Sequence, residues 1–589
     1  MAACVAPAWV LNAAACEGSL RRLFERVPTE AVSPPPDRMH ATFSTNCRRM
    51  LRRHPICTTL TGTLLILVAA KRQGYPATNS AMPHTAALMS RRVMCRVVLI
   101  ASLIIPVGRA LAQPTDTGST TLPRAAIING SIEFITLPQR EKLGLFGARY
   151  LVSLSRSFAF GPALFGAFTG KRGGLFVLAA ELQGQRRLHG PVDGVATIAV
   201  GGGGGAGAPV GDGLFVRPTV GVLVHAGRIR SSLLLSRVYL GAQIGSTQAS
   251  VEFGIPTHFH AVPRDRLDFP TTSPTRSGIG FDALDVVTTI YRPRITKRME
   301  LTTTSSSNIG LVGVRAERAL GRHFALGVAG AGAFAGGVAG YAEYLADITL
   351  HMPMISDRLD VGVRSAIGMA GGGGVPVGGG VILRETVTAK WRWFDALALQ
   401  GEAGYVAAPS GQFRALSSSL GVTWTLDAAE GQATTRRPVR SEWLLGVESY
   451  DAPRTDGRHA PLQSVAFRIN RFVTPHAYLS GQARSALGGG AGAYAVGLLG
   501  GGSEWQARPR WRLGAEALVG AAGGGGVSTG SGAVVHALAY ASREIGSGLD
   551  VRAGIGRVRS VRGGLNARVL DISAGYAFGL TRGSKARSK

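Results

Sequence analysis

Three segments of this chain lie over one another residue by residue: VATIAVGGGGGAGAPVGDGLFVRPTV (195–220), SAIGMAGGGGVPVGGGVILRETV (365–387) and EALVGAAGGGGVSTGSGAVVHAL (516–538). Pro209, Pro376 and Ser528 take one place, followed by Gly211, Gly378 and Gly530, then by Gly213, Gly380 and Gly532. The spacings are 167 and 152 residues. The flanks repeat as well, in GARYLVSLSRS from Gly147, NIGLVGVRAERAL from Asn308 and LQSVAFRINRF from Leu462. The chain therefore holds three diverged copies of one unit of roughly 155 residues, too long for a solenoid or a propeller blade. Glycine stands at 82 of 589 residues, about twice the usual 7%, an excess that geometry has to explain.

Within each copy the hydrophobic period is two. In WRLGAEALVG, Trp511, Leu513, Ala515, Ala517 and Val519 share one face, with Arg512, Gly514, Glu516 and Gly520 on the other. HAYLSGQARSAL and GLFVRPTVGVLVH alternate in the same way, the second setting Val220, Val222 and Val224 against Arg217, Thr219 and His225. Such alternation predicts strands with one apolar and one polar face, about eight per copy and about 24 in all, each near the ten residues a tilted strand needs to cross a bilayer.

Over residues 125–578 this pattern resembles Gram-negative outer-membrane β-barrel proteins as an architecture. A closed barrel pairs every backbone polar group while showing lipid an apolar face. The expected fold is all-β: one large antiparallel transmembrane barrel of about 24 strands built from three eight-strand repeats, the alternative being three tandem eight-stranded barrels. The repeats are expected at 113–278, 279–438 and 439–578, with a basic tail at 579–589. The glycine runs, between strands, suit hairpin turns and barrel corners, or else a close-packed constriction or plug contact repeated three times around the ring. Aromatic residues are only 7%, thin for two interfacial girdles, to which Trp391, Trp393, Phe394, Trp424, Trp443, Trp505 and Trp511 contribute. ARVLDISAGYAFG resembles the closing strand recognised by barrel assembly machinery, although GLTRGSKARSK follows Phe578.

MSRRVMCRVVLIASLIIPVGRALAQP (89–114) has the parts of a secretory signal peptide: Arg91, Arg92 and Arg96, an apolar run too short to span a bilayer, and a small-x-small site at Ala110-Leu111-Ala112. Cleavage is expected between Ala112 and Gln113, with translation from Met89 and residues 1–88 as a non-native upstream extension. All five cysteines (Cys4, Cys16, Cys47, Cys57, Cys95) precede that site, so the mature protein has no thiol chemistry. Removing residues 1–112 takes away 14 Lys and Arg and 4 Asp and Glu, so the charge of +29 becomes +19. For an exported chain this points to phosphate-rich lipid or an anionic solute rather than nucleic acid.

No motif makes a convincing enzyme. Gly526-Val527-Ser528-Thr529-Gly530 fits G-x-S-x-G, but it falls between strands instead of at a strand-to-helix elbow. GKRGG at Gly170 lacks the residues of a phosphate loop and reads as a turn with Lys171 and Arg172 exposed. His258 and His260, near Asp265 and Asp268, lack diagnostic metal spacing and read as a polar extracellular loop. Residues 264–278 are a candidate plug.

The polar faces carry the functional reading. Arg217, Arg468, Arg484, Arg512 and Arg552 are expected to face the lumen, which would favour anions unless neighbours such as Glu516 and Asp550 neutralise them. The function expected is a passive channel or export conduit for an anionic solute or polymer in the outer membrane. Its expected partners are outer-membrane lipid, lipopolysaccharide and the assembly machinery. No cofactor, metal or catalytic residue is expected. The alternatives are a non-transporting adhesin or membrane scaffold and, last, a lipid hydrolase.

Overall fold

The alternating segments form strands, and nearly every strand has a hydrogen-bonded neighbour on both sides. A computed structural model of the protein describes residues 122–273, 276–294, 308–354, 358–394, 396–426, 434–546 and 548–581. The signal peptide, residues 1–88, all five cysteines and most of the basic tail lie outside the described residues.

The sheet closes three times. Eight antiparallel strands from Leu122–Thr136 to Ile244–Ala261 make the first barrel, eight from Ala283–Pro293 to Arg414–Thr425 the second, and eight from Val439–Pro453 to Asn566–Leu580 the third. In each, the eighth strand pairs back onto the first. The 24 barrel strands and the three eight-strand units are thus as expected, while closure follows the alternative: three tandem barrels in place of one ring. The reason is topological. A strand pair joining successive copies would be needed to open them into a common ring, and the first strand of each copy is instead taken by its own eighth strand.

The outward faces are apolar, with Val220, Leu233, Val519 and Ile555 more than half exposed and Leu420 75% exposed. No helix among the described residues is long and apolar enough to cross a membrane. Connections at the end that carries each barrel's termini are tight turns, such as Gly190-Pro191 and Gly227-Arg228. At the other end the loops are longer, and the three aligned glycine runs all fall there, between the fifth and sixth strands.

The glycine runs join the barrels. The loop after the third strand of each barrel lies against the fifth-to-sixth loop of the next: first on second, second on third, third on first. A Cβ added at Gly213, Gly380 or Gly532 would stand 2.8, 2.3 or 2.3 Å from the backbone oxygen of Ala486, Ala167 or Ala333, one equivalent residue on each neighbouring barrel. Gly173 donates its N–H to the Gly378 oxygen and Gly492 donates to the Gly211 oxygen, both at 2.9 Å. Gly211, Gly378 and Gly530 have φ of +52°, +65° and +63°, and Gly213, Gly380 and Gly532 +81°, +109° and +97°. At Gly213, Gly380 and Gly532 glycine meets two demands together, a positive φ and room for the backbone of a neighbouring barrel. The contact is one heterologous joint made three times, and it closes into a ring. The close contact repeated three times is therefore found between barrels, where no lumen is involved.

The connecting segments gather at the terminal end. Thr271–Ser273, after the first barrel, pairs antiparallel with Thr434–Arg436, after the second. Val262 and Gly579 exchange N–H···O bonds of 2.9 and 2.7 Å. The described tryptophans also lie towards this end: Trp391 and Trp393 at the close of Val381–Phe394, Trp424 at the close of Arg414–Thr425, Trp443 near the start of Val439–Pro453, Trp505 near the close of Ala495–Arg508, and Trp511 opening Trp511–Gly523. The tryptophans thus make one girdle, at the terminal end, in keeping with an aromatic content thin for two; the exposed rings at the opposite rim include Phe134 and Tyr239. Trp443, on the outer face of the third barrel, is covered instead by the first: it packs on Phe259 of that barrel and on Phe578 of its own, at centroid distances of 4.9 and 5.7 Å.

Gly380→Ala should loosen the joint between the first and second barrels, at a cost of at least ~1–3 kcal/mol for the backbone strain alone. Gly497→Ala, whose Cβ would meet nothing within 4 Å, should stay within about 0.5 kcal/mol of the parent. Urea titration of folded protein on unboiled detergent gels distinguishes the two.

Candidate functional site: the barrel interiors

An eight-stranded barrel is just wide enough inside for side chains to fill it or for one small ligand, and here side chains, largely charged, fill it. In the first barrel Arg217 donates to Glu133 at 2.9 Å, and Ser236 and Gln248 donate to the other Glu133 oxygen at 2.7 and 2.9 Å. Arg149 lies between Glu181, at 2.9 Å, and Glu252. In the second barrel Arg315 reaches Asp285, Glu317 and Asp347 at 3.0, 2.5 and 2.6 Å. Arg364 pairs with Glu402, and Arg384 with Glu343 at 3.1 Å, whose carboxylate also accepts the hydroxyls of Tyr291 and Tyr341. A cavity of about 30 Å³ lies beside Arg315, Glu343, Arg384 and Glu402, room for ordered water.

The third barrel holds the densest network. Arg468 bonds Asp571 through two nitrogens, Arg484 bonds Glu448 at 2.6 Å, and Arg512 bridges Glu504 and Asp550, both at 2.8 Å. Arg552 stands 3.6 Å from both Glu442 and Glu516 and 3.7 Å from the Tyr540 ring centroid. From outside the barrel wall, Arg264 of the first connecting segment reaches Asp550 and Glu544 at 3.2 and 3.0 Å. Within the candidate plug Arg264 thus engages the mouth of the third barrel and Arg276 donates to the Ala319 oxygen at the rim of the second, at 3.0 Å; residues 274 and 275 lie outside the described residues.

The five arginines singled out in the sequence are all buried and inward, but they share no lumen: Arg217 is in the first barrel and the other four in the third. Their partners sit across strands and not along them. Arg512 pairs with Glu504 and Asp550, and Glu516 falls to Arg552, because Arg512 and Glu516 are two inward places apart on one strand, about 13 Å, while cross-strand neighbours are closer. Alternation alone also implicates Arg149, Arg315, Arg364, Arg384 and Arg440. Arg149, Arg315 and Arg468 occupy the same place in the three aligned flanking segments, so the repeat itself was the signal that would have found two of them.

Other motifs resolve into structure. Ser528 accepts the Gly564 N–H on its hydroxyl at 3.2 Å, and its backbone ties to Pro453 and Leu565. Among the described residues no histidine or carboxylate hydrogen-bonds to its hydroxyl. Arg172, expected to be exposed, is half-buried: it donates to Glu141 and to the Ala206 oxygen, joining three loops of the first barrel. Those hydrogen bonds hold the Glu141 carboxyl below its usual range. His258 and His260 lie on the strand Ile244–Ala261 instead of in a loop, with rings 6.0 Å apart. Among the described residues no group of three His, Cys, Asp or Glu is arranged to hold a metal ion.

Arg468→Met should strand the buried carboxylate of Asp571, since Glu448 keeps Arg484, and destabilise the third barrel by about 3–5 kcal/mol. Arg468→Met combined with Asp571→Leu should recover a large part of that loss, read as the urea midpoint of the same gel transition.

No family model and no curated protein matches the chain. Solved structures similar to it include Gram-negative outer-membrane β-barrel proteins. A mutant ferric enterobactin receptor (PfeA) of Pseudomonas aeruginosa is 10% identical, over 79% of this chain and 81% of the receptor, at a TM-score of 0.25. OccK11 (OpdR) of P. aeruginosa is 10% identical over 79% and 98%, at 0.18. The outer-membrane protein OpdK of P. aeruginosa is 9% identical over 77% and 98%, at 0.20.

Proposed function

We propose that this protein is an outer-membrane protein whose three barrels form a membrane-embedded scaffold with no open path through any barrel. The observation that carries this reading is the pairing of the buried arginines with carboxylates across each interior. A guanidinium held by two carboxylates offers no field for an anion to follow. An interior filled with such pairs leaves no continuous water.

The conduit for an anionic solute or polymer is the second reading. What favours it is the cavity flanked by Arg315 and Arg384 in the second barrel, the place where rearranged side chains would first admit a solute. A lipid hydrolase finds no support in the surroundings of Ser528. The barrel assembly machinery remains the expected partner in biogenesis, and the apolar outward faces fit outer-membrane lipid.

Expression from Met89 in a Gram-negative host should place the chain in the outer-membrane fraction, with a gel mobility that changes on boiling. Purified protein in planar bilayers should then give no stepwise conductance. Discrete anion-selective steps, abolished by a bulky substitution inside the second barrel such as Thr289→Trp, would replace the scaffold by the conduit.

A further inference from the structure

The outward face of the third barrel carries a charge arrangement that its own fold leaves uncompensated. Arg557, on Leu549–Ser560, stands directly opposite Arg568, on Asn566–Leu580, and Arg559 stands one outward place further along. All three side chains are exposed on the face that also bears Ile555 and Val535. Like charges directly opposite one another on a sheet are destabilising. Arg557 donates to the Asn566 side chain at 2.7 Å, a neutral partner. Among the described residues no carboxylate stands within ion-pair distance of Arg557, Arg559 or Arg568. Asp451, at the same rim on the adjoining strand, lies 3.6 Å from His459 instead.

The pseudo-threefold repeat supplies the comparison. The buried residues Val238, Val406 and Val558 mark the same inward place on the three seventh strands. One residue before each of them, the outward pair is Arg237 with Thr247 in the first barrel, Tyr405 with Leu416 in the second, and Arg557 with Arg568 in the third. Arg237 lies over the Tyr239 ring, 5.0 Å from its centroid. Facing arginines are thus a property of one barrel and not of the repeat.

We propose that Arg557, Arg559 and Arg568 bind the phosphate of a phosphorylated glycolipid of the lipopolysaccharide type. Two facing guanidinium groups offer paired N–H donors to phosphate oxygens, and an anion between them turns their repulsion into attraction. The position selects a lipid over a free anion, because the arginines stand where the apolar band formed by Ile555 and Val535 ends. It also selects the leaflet: the cluster is at the long-loop end, and in barrels of this class long loops face outward while turns face the periplasm. The inference rests on the membrane reading above, so it is tested on protein recovered from the outer-membrane fraction and shifting on boiling; protein absent from that fraction sinks the membrane reading, and the binding result decides this one.

Full-length mature protein and the double variant Arg557→Gln/Arg568→Gln would be mixed in detergent with bis-phosphorylated lipid A, with dephosphorylated lipid A and with phosphatidylglycerol, and the bound fraction read by native mass spectrometry. Arg237→Gln serves as the control. The expected result is binding of the bis-phosphorylated lipid, weakened about tenfold or more in the double variant and unchanged in the control, with the boiling shift retained by all three proteins. Equal binding by the double variant would overturn the proposal, as would equal affinity for phosphatidylglycerol or displacement by millimolar inorganic phosphate.

Discussion

Closure of each sheet at eight strands is the constraint on which the rest depends. Once an eighth strand has paired with its own first strand, the interior can hold side chains and little else. Every polar inward residue must then find its partner inside. In the second barrel, accordingly, Arg315 is surrounded by Asp285, Glu317 and Asp347, and Tyr291, from across the interior, and Tyr341 turn their hydroxyls to Glu343. Replacing such a network by apolar residues is often neutral or better, so its persistence in all three barrels is explained less by stability than by specificity. The charges fix which inward residues oppose one another, and a register slipped by one residue would turn them to the apolar side.

Closure also decides how the barrels meet. A closed barrel has no free edge to share, so three of them cannot be joined by strand pairing and must touch through side chains or through loops. Both do it here: Trp443 packs on Phe259 between the third and first barrels and Phe176 on Tyr344 between the first and second, while the loops meet backbone to backbone, a joint that needs residues without side chains. Gly173 against Gly378, and Gly492 against Gly211, hydrogen-bond as though they were strands although neither belongs to one at that point. The second barrel has Ala339 where the others have Gly173 and Gly492; its contact runs through Gly340 instead, packed against Gly523 and Gly524.

Much of this was legible in the sequence, and the remainder was hidden for physical reasons. Period-two alternation placed Arg512 and Glu516 inward and Leu513 outward, as the strand Trp511–Gly523 has them. The aligned glycines were found as a triplet, and their shared positive φ was implied by hairpin geometry. Whether three eight-strand copies make one ring or three was open, since both give identical patterns along the chain and differ only in which strand the first one pairs with. Cross-strand partners were missed for the same reason: Arg512 with Asp550 depends on register across two strands, whereas Arg512 with Glu516 is merely the pair visible along one. The glycine joints were invisible because a backbone-to-backbone contact between loops leaves no trace except the absence of side chains.

The two ends of the assembly are built for different surroundings, and the glycines are one cause. At the long-loop end, joints between barrels occupy part of the rim, and the exposed rings there, Phe134 and Tyr239, are not tryptophans. Trp391, Trp393, Trp505 and Trp511 are confined to the terminal end, where turns are short and outward positions are free; all four are exposed. Tryptophan prefers the boundary between hydrocarbon and headgroups, so the terminal end is anchored by rings. The joint end must find its anchorage by other means. Arginines at its rim do that in a membrane whose outward leaflet carries phosphate, which sets the unbalanced charge of Arg557 and Arg568 at the same end as the glycines that hold the three barrels together.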